Sequence, residues 1–486
     1  MNATGQSAEL FVISDLHIGG KHSGEPGDRG FRINTHVDAL VGFIDEIGAR
    51  ARVTGRRTEL VINGDFIDFL AEEVPTDARR RSFIGNQSEA VATFDAIAVR
   101  ERPFFDALRA LLAGGVALTV VLGNHDIELS LPAVRARLAA LLGAGREPGY
   151  KFVYDGEAYA VGDVLIEHGN RYDNWNVVDF DRLRRFRSEC SRRLDISPDA
   201  RFFPPAGSEL VERVMNAIKQ DYPFIDLLKP ETDAAIPLLL TLEPDFANVT
   251  NSIEMARLQR AALGHGLTAP ARPAQPGDIA GGAPTETALG SLHTVLTRHL
   301  IGDQRVELLK LIDEARLRAR ASREDIAGGV VSRALSFLRL KTTASWDARL
   351  KILLGTLRTL QDDKSFDRSV ETGKDYQDAA ETLAGKGFAT IVFGHTHLAK
   401  DTKAGDARYL NTGTWADMMR VPLEIIHGSL ETAHEKVALF AQAIRDQRFD
   451  EYLLFRPTFA HICLDSQDRT VAAGVHDYKP GMVKTL

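Results

Sequence analysis

Five short clusters of Asp, His, Asn and Gly stand out along the chain: Asp15-Leu16-His17, Gly64-Asp65-Phe66-Ile67-Asp68, Gly123-Asn124-His125-Asp126, Glu167-His168-Gly169 and Gly394-His395-Thr396-His397. Each follows a short apolar, strand-like run, so rigid strand ends would carry loops whose polar side chains converge. Taken singly, each cluster is weak. A lone D-x-H triplet reads equally well as a capping Asp beside a surface His, and a lone His-x-His as two polar residues on one strand face. Together they hold five of the 14 histidines. Imidazole, carboxylate and amide oxygen without thiolate make a hard-to-borderline donor set suited to Mn, Fe, Zn or a mixed pair. Two such cations about 3.5–4 Å apart can share one hydroxide and lower its pKa to near neutrality. They also neutralise a phosphoryl group and stabilise the charge of its in-line transition state.

In order and type the clusters resemble the calcineurin-like metallophosphoesterase superfamily: D-x-H, G-D-x-x-D, G-N-H-D, a His-Gly, then G-H-T-H. The resemblance covers about residues 10–171 and 390–415, and every motif is present. It implies that Asp15, His17 and His397 bind one metal, that Asn124, His168 and His395 bind the second, and that Asp65 bridges both. One carboxylate offers two oxygens for such a bridge, and Asn124 supplies a neutral oxygen that leaves the site positive toward an anionic substrate. His125 is adjacent to a ligand but is not one. It is the expected proton donor to the leaving oxygen, with Asp126 orienting its ring and Asp68 holding a ligand His. The implied reaction is hydrolysis of a phosphodiester or pyrophosphate bond by a dimetal-activated hydroxide. The implied fold is a four-layer α/β sandwich of two mixed β-sheets flanked by helices.

The elements that must position these residues are partly legible. Glu9–Ile13, Glu59–Ile62 and Val116–Leu122 read as strands, with helix-like segments at His36–Gly48 and Phe104–Ala113 between them. Such alternation suggests a layered α/β architecture with its active groups at strand C-termini. Strand signals run through Lys151–Glu167, vanish, and return at Thr390–Phe393, Ala407–Leu410 and His461–Leu464. Residues 1–175 and 388–486 are therefore expected to form the phosphoesterase core. Residues 176–387 are expected to form an all-helical insertion, a cap over the site or else a second domain for dimer contacts, split by a flexible Gly/Pro/Ala-rich loop at about 264–290. Its apolar stripes include Leu210/Val211/Val214/Met215/Ile218, Leu292/Val295/Leu296/His299/Leu300 and Trp346/Leu350/Leu353/Leu354/Leu357. A last amphipathic helix is expected at Ser429–Gln447.

Composition narrows the function further. A net charge of −8 argues against a general nucleic-acid binder, whose phosphate contacts need clustered positive charge. Two cysteines cannot build a disulfide framework or a thiolate metal cluster, which fits a reducing, cytoplasmic setting. No transmembrane stretch is expected. Arg182, Arg184, Arg185, Arg187, Arg192 and Arg193 lie within 12 residues after the His168 motif. Arg182 and Arg185 are candidates for a second phosphate or carboxylate of the substrate, against a solvated helix face paired with Asp179, Asp181 and Glu189. Within the superfamily the nearest comparison is the group around UDP-diacylglucosamine hydrolase, so a small-molecule or lipid-linked phosphoester is the expected substrate. Two departures separate the chain from that group: His125 stands where it has Arg, and the insertion is much longer. The rival readings are a nuclease of the same superfamily and a catalytically silent binding or scaffold protein.

Overall fold

Side chains on successive residues of a strand point to opposite faces, and here that alternation sorts the apolar residues into separate layers. The computed structural model describes residues 7–21, 30–144, 149–219, 221–229, 234–242 and 345–486. The first half of the chain runs β1 (Ala8–Ile13), α1 (Val37–Thr54), β2 (Arg57–Asn63), α2 (Gln87–Arg100), α3 (Arg102–Ala113), β3 (Ala117–Val121), α4 (Pro132–Leu141), β4 (Tyr150–Val153), β5 (Tyr159–Val161), β6 (Val164–Ile166) and α5 (Phe180–Ser191). A two-residue strand β7 (Leu228–Lys229) and helices α6 (Ile236–Leu242), α7 (Trp346–Leu357) and α8 (Lys374–Ala384) follow. Then come β8 (Thr390–Phe393), β9 (Lys400–Ala404), β10 (Ala407–Asn411), β11 (Met418–Arg420), α9 (Leu423–His427), α10 (Leu430–Arg445), β12 (Leu453–Leu454), β13 (Thr458–Leu464) and β14 (Thr470–Asp477).

The larger sheet has the order β14-β13-β1-β2-β3-β4, parallel from β1 to β4 and antiparallel at β13 and β14. The second has the order β5-β6-β8-β10-β9, parallel across β6, β8 and β10 and antiparallel at both edges. Phe11, Ile13, Leu60 and Ile62 face α1 to α5, while Leu10, Val12 and Val61 face Val164, Ile166, Val392 and Leu410 of the second sheet. On the far side of that sheet, Leu165, Ile391, Phe393 and Tyr409 pack against Ala379 and Ala380 of α8. The result is a mixed α/β sandwich with a largely apolar seam between its sheets.

The helical segments divide differently from the expected boundaries. α5 buries Leu183, Phe186 and Cys190 in the layer under the larger sheet, and α8 covers the second sheet, so both belong to the sandwich although they lie within 176–387. Conversely, α9 and α10 bury Ile425, Val437, Phe440 and Ile444 against Leu238 and Leu239 of α6 and Leu350, Leu353 and Leu357 of α7. The short sheet β12-β11-β7 joins this second core to the chain that follows the G-H-T-H motif. The stripe at Leu210–Ile218 forms the helices Ala206–Leu210 and Asn216–Lys219 with a π-turn between them. The stripe at 292–300 and the loop at 264–290 lie outside the described residues. Among the described residues, no helix is long and apolar enough to cross a membrane.

Candidate metal centre

The five clusters sit at the C-terminal ends of β1, β2, β3, β6 and β8, and the two sheets bring those ends together. Three overlapping groups have all their donor atoms within 4.8 Å of one another: Asp15/His17/His397, His17/Asp65/His125 and Asp65/His168/His395. The backbone is held in the left-handed region at Asp15, His17, Asp65, His395 and His397, with φ between 45° and 71°. Such residues cost of order 1–3 kcal/mol each and persist where surrounding structure over-determines them. Neighbouring backbone does so here. His17 N–H donates to the Asp65 carbonyl at 2.9 Å, Asp15 N–H to Gly64 at 3.1 Å, and His395 N–H to both oxygens of the Asp15 carboxylate.

The motif glycines are where those loops touch. A Cβ on Gly64 would run into the His168 ring, and one on Gly123 into the Asp65 carboxylate. Gly64 also has φ +81°, a conformation that side chains resist.

Hydrogen bonds around the cluster leave specific lone pairs unused. His168 Nδ1 donates to the Asn63 carbonyl at 2.8 Å, which fixes the tautomer with Nε2 bare. His395 Nε2 faces an Asp173 carboxylate oxygen at 3.2 Å, so that nitrogen carries the proton and Nδ1 is bare. Asn124 Nδ2 donates to Asn176 at 3.4 Å, which orients its amide with Oδ1 free. His168 Nε2, His395 Nδ1 and Asn124 Oδ1 are all buried and without a hydrogen-bond partner. Eleven buried side-chain polar atoms among the described residues lack a partner, and these three, all acceptors, belong to one expected ligand set, where they form a cradle that a cation fits. On the other side, His17 Nε2 and His397 Nε2 face each other at 3.0 Å, and His397 Nε2 lies 3.4 Å from Asp15 Oδ1.

Asp65 lies between the two sets. Its Oδ1 accepts from the His125 backbone N–H at 2.9 Å, while Oδ2 is 3.2 Å from His168 Nε2 and 4.0 Å from His17 Nε2. A single oxygen, rather than one from each side of the carboxylate, therefore faces both sets. Electrostatics point the same way. Burial works against charge on His168 and His125, yet Asp65 and its neighbours outweigh it and push them up to about 10 and about 9, so without a cation a proton would take the place at His168 Nε2 that a metal ion would otherwise fill. Burial, with Asp65 nearby, raises Asp15. This ring of carboxylates calls for positive charge at its centre, and two divalent cations would supply it.

Asp68 serves two rings, His17 Nδ1 at 3.3 Å and His125 Nδ1 at 3.2 Å. Asp126 does not orient the His125 ring. Its carboxylate accepts from the backbone of Phe66 and Gly123 at 2.8 and 2.7 Å, pinning the second motif to the third. His125 is a quarter exposed, more than any expected ligand, and so faces the solvent side of the cluster.

The arginine run stands elsewhere. Arg182 pairs with Asp179 and lies over Phe203, and Arg187 is buried and donates to the Tyr154 carbonyl. Arg185 is on the exposed face of α5. Among the described residues, nothing joins Arg182 or Arg185 to the clustered ligands, because α5 is committed to packing under the larger sheet. Asp173 and Asn176, which do touch the cluster, lie outside every motif. Their only signal was the polar run that continues from His168. No family model matches the chain, and no curated protein matches it.

Proposed function

We propose that the chain is a dinuclear metal-dependent phosphoesterase of the calcineurin-like kind, a hydrolase acting on a phosphodiester or pyrophosphate bond. The three bare buried acceptors of Asn124, His168 and His395 carry this reading. Their side chains would hold one divalent transition metal ion (Mn, Fe or Zn), Asp15, His17 and His397 the other, and Asp65 Oδ2 both. When bound, such a pair supplies Lewis-acid charge that binds and polarises a phosphoryl group and activates water.

The chain's own residues do the rest. His125 keeps Nδ1 on Asp68, which leaves Nε2 to give a proton to the leaving oxygen, and its exposure supports contact with substrate. Asp68 fixes two imidazoles at once, one metal-binding and one proton-donating. Asp126 ties the Asp65 loop to the Asn124 loop. The layered arrangement of two mixed sheets between helices is what the four-layer phosphoesterase sandwich would require.

Metal-stripped protein given back Mn²⁺ should take up close to two ions per chain. It should then hydrolyse at least one member of a panel of nucleotide, sugar-nucleotide and phospholipid esters. Asp65→Ala should lose both ions and all turnover. Full activity in that variant would overturn the proposal.

A further inference from the structure

The loop after His168 does more than connect β6 to α5. Asp173 Oδ2 takes His395 Nε2 at 3.2 Å and Asn176 Nδ2 at 2.7 Å, and its Oδ1 takes the Trp175 backbone N–H at 3.0 Å. Both carboxylate oxygens are thus engaged, so Asp173 is not itself placed as a ligand. Asn176 in turn offers Oδ1 to Asn124 Nδ2, and its carbonyl accepts from Asn170 Nδ2 at 2.8 Å. The Asn176 side chain is backed by Gly207, where a Cβ would approach its Oδ1 to 2.5 Å. One nine-residue run, 168–176, therefore contains one expected ligand and grips the two others of the same set, which arrive on β3 and β8.

We propose that Asp173 and Asn176 are positioning residues that hold the ligands of the second metal ion in place, through the chain Asn124–Asn176–Asp173–His395. This rests on the dinuclear reading above and deepens it. The physical reasons are two. A carboxylate on the far nitrogen of a ligating imidazole fixes its tautomer and raises its basicity, and loss of such partners typically weakens metal binding 10–100-fold. Asn176 decides which end of the Asn124 amide faces the cation, since either end fits the same space. Nothing comparable reaches the other set from this loop: His17 is held by Asp68 on β2's loop, and Asp15 by Ser14 and the His395 backbone.

Equilibrium dialysis of the metal-stripped full chain against Mn²⁺, with bound metal counted by mass spectrometry, tests this. Asp173→Asn and Asn176→Ala should each weaken one of two Mn²⁺ sites about 10–100-fold and leave the other unchanged. Turnover should return toward wild type as Mn²⁺ is raised, which a merely structural defect would not allow. Wild-type affinity at both sites in both variants, or equal weakening of both sites, would overturn the proposal. If Asp173→Asn fails to fold, Asn176→Ala carries the test alone. Wild-type protein that binds fewer than two Mn²⁺ would instead sink the dinuclear reading, and this inference with it.

Discussion

At the scale of single residues, the site separates groups that would hold metal from groups that would move protons. His125→Ala is expected to keep both ions and lower kcat by roughly 10²–10⁴. The loss should shrink for esters whose leaving group has a low pKa, because these need little protonation; steady-state kinetics on a graded series of esters reads this out. A second residue makes a prediction about stability. Glu128 is buried, and burial, helped by Asp126 and Asp68, pushes its carboxyl up to about 8, against a hydrogen bond from the Ile84 backbone N–H at 2.7 Å. The fold therefore favours its neutral form. That contribution is complete below the ordinary carboxyl value of 4.5 and drains away as pH rises toward 8, at about 1.4 kcal/mol per pH unit. Glu128→Gln keeps an acceptor for Ile84 and cannot ionise. Urea unfolding should find it more stable than wild type at pH 8.5, with the advantage gone at pH 4.5. That the seven expected ligands would stand at strand ends and cluster was legible in the sequence, because motif spacing reports strand ends and loop lengths. Asp173 and Asn176 were not, since a single Asp or Asn in a polar run carries no periodicity.

At the scale of elements, strands were easier to foresee than their partners. β1, β2, β3, β8 and β10 lie within a few residues of their expected positions, and α10 matches the expected last helix. β9 and β14 are sheet-edge strands built largely from polar or small residues, so they carry no apolar alternation to find. α2 was hidden by a weakly apolar face, although Asn86 caps it by accepting from Ser88 and Glu89 N–H. β1 also carries a charge that could be mistaken for a second metal site. Glu9, His461 and Cys463 converge there, but Arg50 takes Glu9 at 2.7 and 2.9 Å and Arg56 takes it as well, so two positive charges already stand where a cation would sit. Burial alone would raise the Glu9 carboxyl; the nearby His461 ring and hydrogen bonds from Arg50 and Arg56 outweigh it and hold it well below the usual carboxylate range. The stability this confers is complete above the ordinary carboxyl value of 4.5 and drains away progressively as pH falls below it. Arg50→Ala should cost about 3 kcal/mol in chemical denaturation, at the lower end for a broken buried pair because Arg56 remains.

At the scale of the whole molecule, the sandwich and the helical core are interlocked rather than strung in series. Replacing residues 176–386 by a short Gly/Ser linker would strip α5 and α8 from the two sheets. It would also expose Val437, Phe440, Ala441 and Ile444 of α10. The expected outcome is aggregated protein by size-exclusion chromatography; a soluble, monomeric product would show that the helices are dispensable cover. This interlocking escaped the sequence because an apolar stripe says that a face is buried but not what buries it. The position of β13 adds a consequence in time. It pairs with β1 along Ala8–Val12, on the side of β1 away from β2, although about 450 residues separate Ala8 from Leu464. At roughly 5–20 residues per second of synthesis, β1 would wait on the order of 20–90 s with one edge open. His397 and His395 also emerge long after Asp15 and His17, so the nascent chain holds an open strand edge and only part of the expected ligand set together. Chains stopped at Phe455 should therefore remain insoluble however complete their ligand set, and a chaperone that shields strand edges should raise the yield of the full-length protein more than added metal does.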